Sequence, residues 1–416
     1  AKTYALTLRQ KCSPTPGQPE KQPFLIPVRM GLIDSHGQPV SLRLCEEDQG
    51  TSAPLERVLV VTETEQTFTF SQVESKPVPS LLRQFSAPVW LAVNEDDEAE
   101  LLHLLAHDAD PFNRWEAGRS LARDTLVRMV LSGGAPSPLL LSGLETLLAD
   151  ESLDPAFRAL CLRLPTADDL AQALKDAGHT PDPDRIFAET RRLAAAIAAR
   201  LEQPLAATCE RLAATGPFAP DAAQAGRRAL RLACLGLLSR GDGGARAAAL
   251  FAAATNMTDM QGALACLIEA GRGEGELAAF YGRFRANRLV IDKWFSLQAL
   301  CAPPGRAVEV ARDLSRHPDF DWKNPNRFRA LLGGLAANHA GFHDASGAGY
   351  DLYADWLIRL DPVNPQTTAR MSTAFETWAR YDPARQARAR AAMERILAAP
   401  GLSRDSGEMI GRLLGR

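Results

Sequence analysis

The sequence predicts a multidomain β + α protein, in which a small N-terminal β-sandwich is followed by a large all-α superhelical, solenoid-like domain. Two observations carry this prediction. Before residue 95 the chain consists of short alternating segments separated by Pro and Gly turns, as half-buried strands do. After it, apolar residues recur at the 3.6-residue period of helices, and Ala, Leu and Arg become frequent. We therefore predict domains at residues 1–95 and 96–416.

The N-terminal part contains alternating segments that are typical of strands. His36 and Gly37 predict a hairpin turn within this series. Several short strands separated by turns predict a small β-sandwich, a fold that commonly acts as a spacer or packing module. The predicted strands are Tyr4–Arg9, Phe24–Ile33, Val40–Leu44, Glu56–Thr62, Gln66–Phe70 and Pro88–Val93.

The helices repeat one starting device, an Asp or Asn N-cap followed by Pro. The cap side chain accepts a free backbone N–H, and Pro lacks a donor that the first turn cannot use. Two starts, at Asn324 and Asn364, lie 40 residues apart. Together with the Gly and Pro turns, they predict helical hairpins stacked into an irregular superhelix with a concave wall. The device occurs at Asp110-Pro111, Asp154-Pro155, Asn324-Pro325, Asn364-Pro365 and Asp382-Pro383.

Charge and hydropathy argue against several functional classes. The 416 residues carry a formal charge of -3, and no Lys/Arg-rich run stands out, so we expect no nucleic-acid partner. No stretch of about 18 apolar residues is present, and residues 1–20 lack the apolar core of a signal peptide. We therefore expect no membrane span and predict a cytoplasmic protein. The seven cysteines form no Cys-x-x-Cys pair, which favours free thiols in a reducing compartment.

One spacing in the sequence is typical of a metal site. His103 and His107 are four residues apart and so share one face of a predicted helix. A zinc peptidase helix of the His-Glu-x-x-His type also needs a Glu beside the first His and a later Glu ligand. Leu104 and Leu126 occupy those positions here. A pair of partly buried histidines is therefore the favoured interpretation.

The other catalytic signatures are also absent from the sequence. It contains no Gly-x-Ser-x-Gly elbow, no P-loop and no Gly-x-Gly-x-x-Gly phosphate loop. His339 and His343 are again four residues apart, but we expect them in a Gly-rich loop, with Asp344 nearby and without a matching set of ligands. We predict no catalytic residue, no metal ligand and no cofactor within this chain.

Nine short segments, spread over nearly the whole chain, occur in the order of one known family. They are Glu20-Lys-Gln-Pro23, Glu65-Gln-Thr-Phe68, Phe85-Ser-Ala-Pro-Val89, Asp110-Pro-Phe-Asn-Arg-Trp115, Asn256-Met-Thr-Asp259, Asp292-Lys-Trp-Phe295, Asn324-Pro-Asn-Arg327, Gly347-Ala-Gly-Tyr350 and Tyr381-Asp-Pro-Ala-Arg-Gln386. Together these segments resemble the C-terminal half of bacterial aminopeptidase N, the zinc-dependent alanyl aminopeptidases of the gluzincin class.

The resemblance implies a specific division of labour. In that family an N-terminal β-domain and a thermolysin-like catalytic domain precede a β-sandwich and a helical domain that closes over the active site. This chain looks like the last two, so zinc and the His-Glu-x-x-His helix would belong to the missing catalytic domain. The chain would be inactive alone, and its peptide substrates would be bound through that domain. Ala1 directly precedes a predicted strand, as expected for a piece of a longer protein.

Three arginines are the candidate substrate-channel residues. Arg327 and Arg329 fall near the start of the helix that Asn324 caps, where the helix dipole disfavours cations and an anionic partner would offset that cost. Arg370 lies farther into the helix that Asn364 caps. The resemblance implies that Arg329 and Arg370 line the channel and meet a peptide carboxylate through bidentate hydrogen bonds. The competing interpretation is a solvated or internally paired arginine.

Alternatives for the whole chain remain open at this level. A free-standing helical-repeat scaffold would bind a peptide or protein on its concave face, and an independent enzyme would assemble its site from residues distant in sequence. A set of aromatic residues could form a peptide-binding wall, although aromatic residues at helical spacing more often pack in a core. These are Phe112, Trp115, Trp294, Phe295, Trp322, Tyr350 and Trp356.

Overall fold

The computed structural model describes residues 2–48, 52–92, 97–213 and 216–416. The chain forms two compact units, one of residues 1–124 and 137–150 and the other of residues 125–136 and 151–416. The predicted domain boundary between residues 95 and 96 lies outside the described residues. A small two-sheet region followed by a long series of helices confirms the predicted fold class.

Over its described residues, the first unit begins with seven strands in two antiparallel sheets. One sheet has the order β1-β6-β4, and the other has the order β3-β2-β5, with β7 also paired to β2. The register aligns Tyr4 with Phe70 in the first sheet and Val28 with Leu59 in the second. The strands are β1 (Thr3–Arg9), β2 (Ile26–Ile33), β3 (Pro39–Val40), β4 (Arg43–Leu44), β5 (Arg57–Val61), β6 (Glu65–Ser71) and β7 (Val78–Leu81).

The core of the sandwich is supplied by both sheets, because alternate residues of each strand point inward. Leu6 and Phe70 come from one sheet, and Met30, Leu32 and Leu59 come from the other, all buried in one cluster. This packing explains why the alternating pattern in the sequence located β1, β2, β5 and β6.

Two strand predictions are wrong in part. Residues 88–92 of the predicted strand Pro88–Val93 form no strand, and Val93 lies outside the described residues. Trp90 is 91% exposed, so its apolar side chain has no sheet to pack on. Val78–Leu81, which is not among the predicted strands, pairs with β2 instead, and Pro79 is tolerated there because an edge strand can hold a residue without an N–H. The predicted strand Val40–Leu44 divides into β3 and β4, which belong to different sheets.

The peptide Asp108–Trp115 anchors the end of the first unit's sheet to its helices. The guanidinium of Arg83, which is 5% exposed, donates to Ser80 Oγ at 2.8 Å, Glu56 Oε1 at 2.9 Å and Asp108 Oδ1 at 2.9 Å. Asn113 Nδ2 donates to Ser80 Oγ at 2.9 Å and to the Leu81 carbonyl at 2.8 Å. Arg83 and Asp108 are therefore buried and paired with each other, and the exposed Glu56 is the second anionic partner of Arg83.

The remainder of the chain is helical. Three helices are α1 (Glu98–His107), α2 (Pro111–Ser132), within which the division between the two units falls, and α3 (Pro138–Ala149). Short 3-10 turns occur at Arg83–Phe85, Ser372–Phe375 and Trp378–Arg380, and a π-helical segment occurs at Arg329–Gly333. The other helices are α4 (Pro155–Cys161), α5 (Ala167–Asp176), α6 (Pro183–Arg200), α7 (Glu202–Arg211), α8 (Ala222–Asp242), α9 (Ala245–Ala253), α10 (Met257–Glu269), α11 (Glu274–Phe284), α12 (Arg288–Cys301), α13 (Pro304–Leu314), α14 (Pro325–Phe328), α15 (Gly334–Ala337), α16 (His339–Phe342), α17 (Ala348–Leu360), α18 (Pro365–Met371), α19 (Pro383–Leu397) and α20 (Arg404–Leu413).

The predicted capping device is confirmed at all five positions, because a helix begins at each of the five prolines. Asp154, for example, accepts from Ala156 N at 2.8 Å, and Asp382 accepts from Ala384 N at 3.0 Å. Asp182-Pro183, which is not among the five predicted starts, uses the same device at the start of α6. Local chemistry thus fixes these helix starts before tertiary packing acts.

Aromatic residues of the second unit lie mainly in its core. Phe295 and Tyr350 are almost completely buried, and Trp294 and Trp356 are each 8% exposed. The rings of Phe320 and Trp356 meet edge to face with centroids 5.3 Å apart. For these residues core packing, rather than a peptide-binding wall, is the correct interpretation.

Candidate functional site

The segment Asn324–Gly334, hereafter the arginine segment, carries two of the three candidate arginines. Asn324 Oδ1 accepts from Asn326 N at 3.0 Å and from Arg327 N at 3.4 Å, which starts α14. After one turn the α-helix widens into the π-helical segment that begins at Arg329. Such π-helical turns are rare and occur frequently at functional sites.

Arg327 is a buried residue with internal partners. It is 6% exposed, and its Nε donates to Asp292 Oδ1 while its Nη1 donates to the Asp319 carbonyl. The Nη2 atom donates to the Arg288 carbonyl at 3.3 Å, and the guanidinium lies 4.8 Å from the ring centroid of Phe295. The anionic partner that the helix start requires is therefore Asp292 of α12. This arginine joins α14 to α12 and carries its charge inside the unit.

Arg329, two residues later, is exposed and bonds only within its own turn. Its Nε donates to the Pro325 carbonyl at 3.1 Å, and its Nη2 donates to Asn326 Oδ1 at 2.5 Å. These neutral acceptors orient the guanidinium without neutralising it. Among the described residues no carboxylate pairs with Arg329, so its charge remains available to a partner.

Arg370 is exposed near the end of α18, which Asn364 caps by accepting from Thr367 N at 3.0 Å. Within the described part of the chain, its guanidinium has no hydrogen bond and no ion pair. It also lies in the last turn of the helix, where the dipole favours a positive charge. The helix terminus therefore stabilises a cation that no protein carboxylate neutralises.

The arginine segment and α18 are neighbours. A methyl group added at Gly333 would lie 4.0 Å from Cε of Met371, the residue that follows Arg370. On the opposite side, a Cβ at Gly334 would lie 2.8 Å from the Ser296 carbonyl oxygen, so only glycine allows this close approach to α12. The tertiary structure thus brings together two elements that carry unneutralised arginines.

A buried polar network of the second unit contains the second pair of histidines. His339 and His343 belong to or directly follow the short helix α16, rather than a loop. His339 Nε2 lies 2.9 Å from the Tyr381 hydroxyl, and His343 Nδ1 lies 2.8 Å from the Tyr350 hydroxyl. Burial lowers the pKa of His339 to about 4 and places the pKa of His343 well below its ordinary value. Both imidazoles are therefore neutral at neutral pH.

Two arginines that sequence reasoning did not select hold this network together. Arg380 donates from Nη2 to Asp168 of α5 and to the Tyr381 hydroxyl, the latter at 2.8 Å. Because Arg380 donates to that hydroxyl, we assign the hydroxyl proton to the bond with His339 Nε2. Arg385 donates to Asp184 Oδ2 of α6 at 2.8 Å. The family resemblance had included the segment Tyr381–Gln386, which contains Arg385. It gave no indication of the carboxylates about 200 residues away with which Arg380 and Arg385 pair.

Neither histidine pair forms a metal centre. His103 and His107 have ring centroids 4.8 Å apart, and His103 Nε2 has no hydrogen-bond partner. Over residues 2–48, 52–92, 97–213 and 216–416, no group of three or more His, Cys, Asp or Glu side chains is arranged to hold a metal ion. The residues of this part of the chain do not fit a catalytic zinc site.

The first unit exposes several large apolar side chains. Phe85 is 69% exposed and Trp90 is 91% exposed, and Phe85 stacks on Phe112 with ring centroids 4.3 Å apart. Val89 and Leu91 beside Trp90 are also exposed. Exposed apolar groups of this size are typical of an interaction surface. In the described helices, none combines the length and the apolar character needed to cross a membrane.

Two family models match the chain. Residues 98–415 match a domain of unknown function, DUF3458_C, described as ARM repeats. Residues 1–94 match the domain of unknown function DUF3458, described as an Ig-like fold. The two matches together extend over almost the whole chain.

Curated relatives and a solved structure agree with these matches. The chain is 39% identical to aminopeptidase N of Caulobacter vibrioides over 368 residues, which is 86% of this chain and 42% of that protein. It is 34% identical to aminopeptidase N of Escherichia coli over 99% of this chain and 47% of that protein. The crystal structure of Legionella pneumophila aminopeptidase A in complex with aspartic acid aligns with a TM-score of 0.84, at 29% identity, over 100% of this chain and 47% of that one. The chain therefore spans less than half the length of these relatives.

Proposed function

This chain belongs to the family of the Ig-like and ARM-repeat domains that form the C-terminal part of aminopeptidase N, and from that membership we propose that it is the non-catalytic part of a zinc-dependent aminopeptidase. The whole protein would remove N-terminal residues from peptides, and this part would shape and gate the substrate chamber. The observation that carries the proposal is the alignment of 99% of this chain with only 47% of a curated aminopeptidase N. The same homology does not favour a free-standing scaffold.

In this proposal zinc and the reacting groups belong to the half of the protein that is not in this chain. That half is also the natural partner of the exposed apolar residues around Phe85 and Trp90, since burying them against a second domain would remove them from water. Peptides would reach the reaction site through that domain. We expect the whole protein to be cytoplasmic.

We assign the contact with substrate to Arg329 and Arg370. Both are exposed, both lack a carboxylate partner among the described residues, and they lie on neighbouring elements. A guanidinium matches the two oxygens of a carboxylate, so each could bind the C-terminal carboxylate of a peptide by paired hydrogen bonds. Arg327 would act indirectly, because its bond to Asp292 fixes the helix from which Arg329 projects.

A chimera tests the proposal for the whole chain. The C-terminal region of the Caulobacter aminopeptidase N would be replaced by this chain, and hydrolysis of an alanyl-anilide would be measured with zinc present. We expect a chelator-sensitive activity from the chimera and none from this chain alone. Release of amino acids by the isolated chain, with loss of activity on chelation, would contradict the proposal.

Substrate length tests the assignment of the arginines. In the chimera, Arg329→Ala and Arg370→Ala should each raise KM for a tripeptide by about tenfold, the effect of losing one charged hydrogen-bonded contact. The KM for alanyl-anilide, which has no carboxylate, should stay unchanged. Arg359→Ala serves as the matched control, because Arg359 is exposed but stacks on Trp322 and Trp356. Equal effects on both substrates would reject the assignment.

A further inference from the structure

Arg329 of the arginine segment is held along one edge of its guanidinium group. An arginine presents two edges to paired acceptors, a side edge formed by Nε and Nη2 and an end edge formed by Nη1 and Nη2. In Arg329 the side edge is occupied, because Nε donates to the Pro325 carbonyl at 3.1 Å and Nη2 donates to Asn326 Oδ1 at 2.5 Å. Nη1 has no hydrogen-bond partner among the described residues. The end edge, with its two parallel N–H groups, therefore remains open to a ligand.

Asn326, which supplies the acceptor, is itself held in place. It is the second residue of α14, and its backbone N–H donates to Oδ1 of the N-cap Asn324 at 3.0 Å. Both Asn326 and Arg329 are exposed, so the contact between them does not depend on burial. Because the long arginine side chain is already oriented in the folded protein, less rotamer entropy is lost when its end edge binds a ligand.

The chemistry at position 326 decides what this contact does to the charge. An amide oxygen accepts a hydrogen bond but carries no formal charge, whereas a carboxylate oxygen would form an ion pair with Arg329. The chain contains the opposite case, because the exposed Arg395 donates to the carboxylates of Asp351 and Asp355. Asn and Asp have nearly the same shape, so residue 326 determines whether Arg329 is oriented and charged or oriented and neutralised.

We propose that Asn326 is a positioning residue that makes Arg329 specific for a carboxylate ligand, because its amide orients the guanidinium and leaves the positive charge unneutralised. In the function proposed above, on which this role depends, the ligand is the C-terminal carboxylate of a peptide. The carboxylate oxygens would accept from Nη1 and Nη2 of Arg329, and Asn326 itself would not need to touch the substrate. Peptides with a free C-terminal carboxylate would therefore be bound more tightly than the same peptides with an amidated C-terminus.

Chemical labelling of arginine tests the contact in this chain alone. Phenylglyoxal, a dicarbonyl reagent, modifies accessible guanidinium groups, and pairing with a carboxylate should slow that reaction. Chymotryptic cleavage after Phe328 separates Arg327 from Arg329, so mass spectrometry can follow each arginine. In the unaltered chain we expect Arg329 to react faster than Arg395, and the buried, paired Arg327 to stay unmodified. In Asn326→Asp the labelling rate of Arg329 should fall to that of Arg395.

Two further variants separate the charge of residue 326 from its hydrogen bond. Asn326→Ala removes the acceptor without adding charge, so Arg329 should stay as reactive as in the unaltered chain. Gln203→Glu makes the same charge change at an exposed amide in the first turn of α7 and should leave the labelling of Arg329 unchanged. An acidic residue is favourable near the start of a helix, so Asn326→Asp should fold, and circular dichroism would verify this.

Substrate preference tests the role in binding. In the chimera described above, KM would be measured for a tripeptide and for the same tripeptide with an amidated C-terminus. Asn326→Asp should raise KM for the free tripeptide by about tenfold, as Arg329→Ala does, because either change removes one charge-assisted contact. The double variant should show no further rise, since both changes act on the same contact. Asn326→Ala, which keeps the charge but loses its orientation, should raise this KM by about threefold, and Gln203→Glu should leave the ratio of the two KM values unchanged.

The two experiments fail in different ways. An unchanged labelling rate of Arg329 in a folded Asn326→Asp variant overturns the proposal, whatever the chimera does. The proposal is also overturned if that variant keeps its preference for the free carboxylate while Arg329→Ala loses it. A tripeptide KM that Arg329→Ala leaves unchanged would instead reject the assignment of Arg329 to the substrate, which is a failure of the proposed function and not of the contact with Asn326.

Discussion

The Asp108–Trp115 peptide of the first unit and the arginine segment of the second unit begin alike but use their arginines differently. Each starts a helix with a capping residue and Pro, at Asp110-Pro111 and at Asn324-Pro325. Around the first, Arg83 is buried and bonds to two carboxylates. In the second, Arg327 is buried and paired, whereas Arg329, two residues later, is exposed and meets only neutral acceptors.

The difference teaches that the partners, and not the arginine itself, decide whether a cation is structural or available. Burying a guanidinium without an anion carries a large desolvation free energy. Each buried arginine in this comparison is accordingly paired with a carboxylate. An exposed guanidinium is hydrated and needs none. Arg329 and Arg370 are both exposed, lack a carboxylate partner among the described residues and belong to elements that approach each other at Gly333 and Met371, so the local charge favours an anionic ligand.

The largest effect is expected on the stability of the first unit, around the Asp108–Trp115 peptide. Arg83→Ala removes the partner of Asp108, whose side chain is completely buried, and should lower the free energy of unfolding of the first unit by about 4 kcal/mol. Chemical denaturation followed by circular dichroism would measure it. Arg123→Ala, which removes an exposed ion pair with Asp124, is the control and should change stability by less than about 0.5 kcal/mol. A similar loss in both variants would show that the buried pairing is not what stabilises the region.

The next largest effect is a difference in stability between variants of Arg327 and Arg329, two arginines of the arginine segment. Arg327→Ala leaves Asp292 partly buried without its cation, so the second unit should lose about 2 to 3 kcal/mol of stability. Arg329→Ala should lose no more than about 0.5 kcal/mol, because its partners are neutral and exposed. Arg327 and Arg329 are two residues apart in the sequence, so the same denaturation experiment compares the two variants directly. Equal losses would remove the distinction between structural and available arginines.

A pH-dependent effect extends the comparison to the network around Arg380. The pKa of His339 falls from its ordinary 6.5 to about 4 in the folded protein, so between these values the unfolded chain binds a proton that the folded protein does not. Stability should therefore fall as the pH is lowered from 6.5 to 4, by about 3 kcal/mol at most from this group. His339→Gln should reduce the slope of stability against pH over this interval. An unaltered slope in His339→Gln would contradict the assignment.

The smallest effect is expected on stability when the N-cap residues Asn324 and Asp110 are replaced. Asn324→Ala should cost about 1 kcal/mol, the usual contribution of an N-cap. Asp110→Ala should cost about twice as much, since its second hydrogen bond, from Gln84 N at 3.1 Å, reaches a segment outside the helix, whereas both bonds of Asn324 lie within its own first turn. Thermal or chemical unfolding of the two variants would measure the difference. If Asn324→Ala costs more, then packing, and not the second hydrogen bond, governs the caps.

Residues whose structure depends on near neighbours were predictable from the sequence. The caps at Asp154 and Asp382 formed as expected, because their partners lie two or three residues away. The strands that alternate between core and solvent were also located. The position of Arg327 at a helix start indicated that an anion would offset its charge, but Asp292 could not be identified as that anion, because 35 residues separate the two.

The sequence by itself determined the class of each region, since the period of its apolar residues and its capping residues act over a few positions. Only the tertiary structure decided which residues meet across long separations, such as Val78–Leu81 with β2 and Arg380 with Asp168. The physical reason is that burial and pairing depend on the packing of distant elements. A local sequence pattern therefore does not identify which of many similar side chains will pair with a given distant residue.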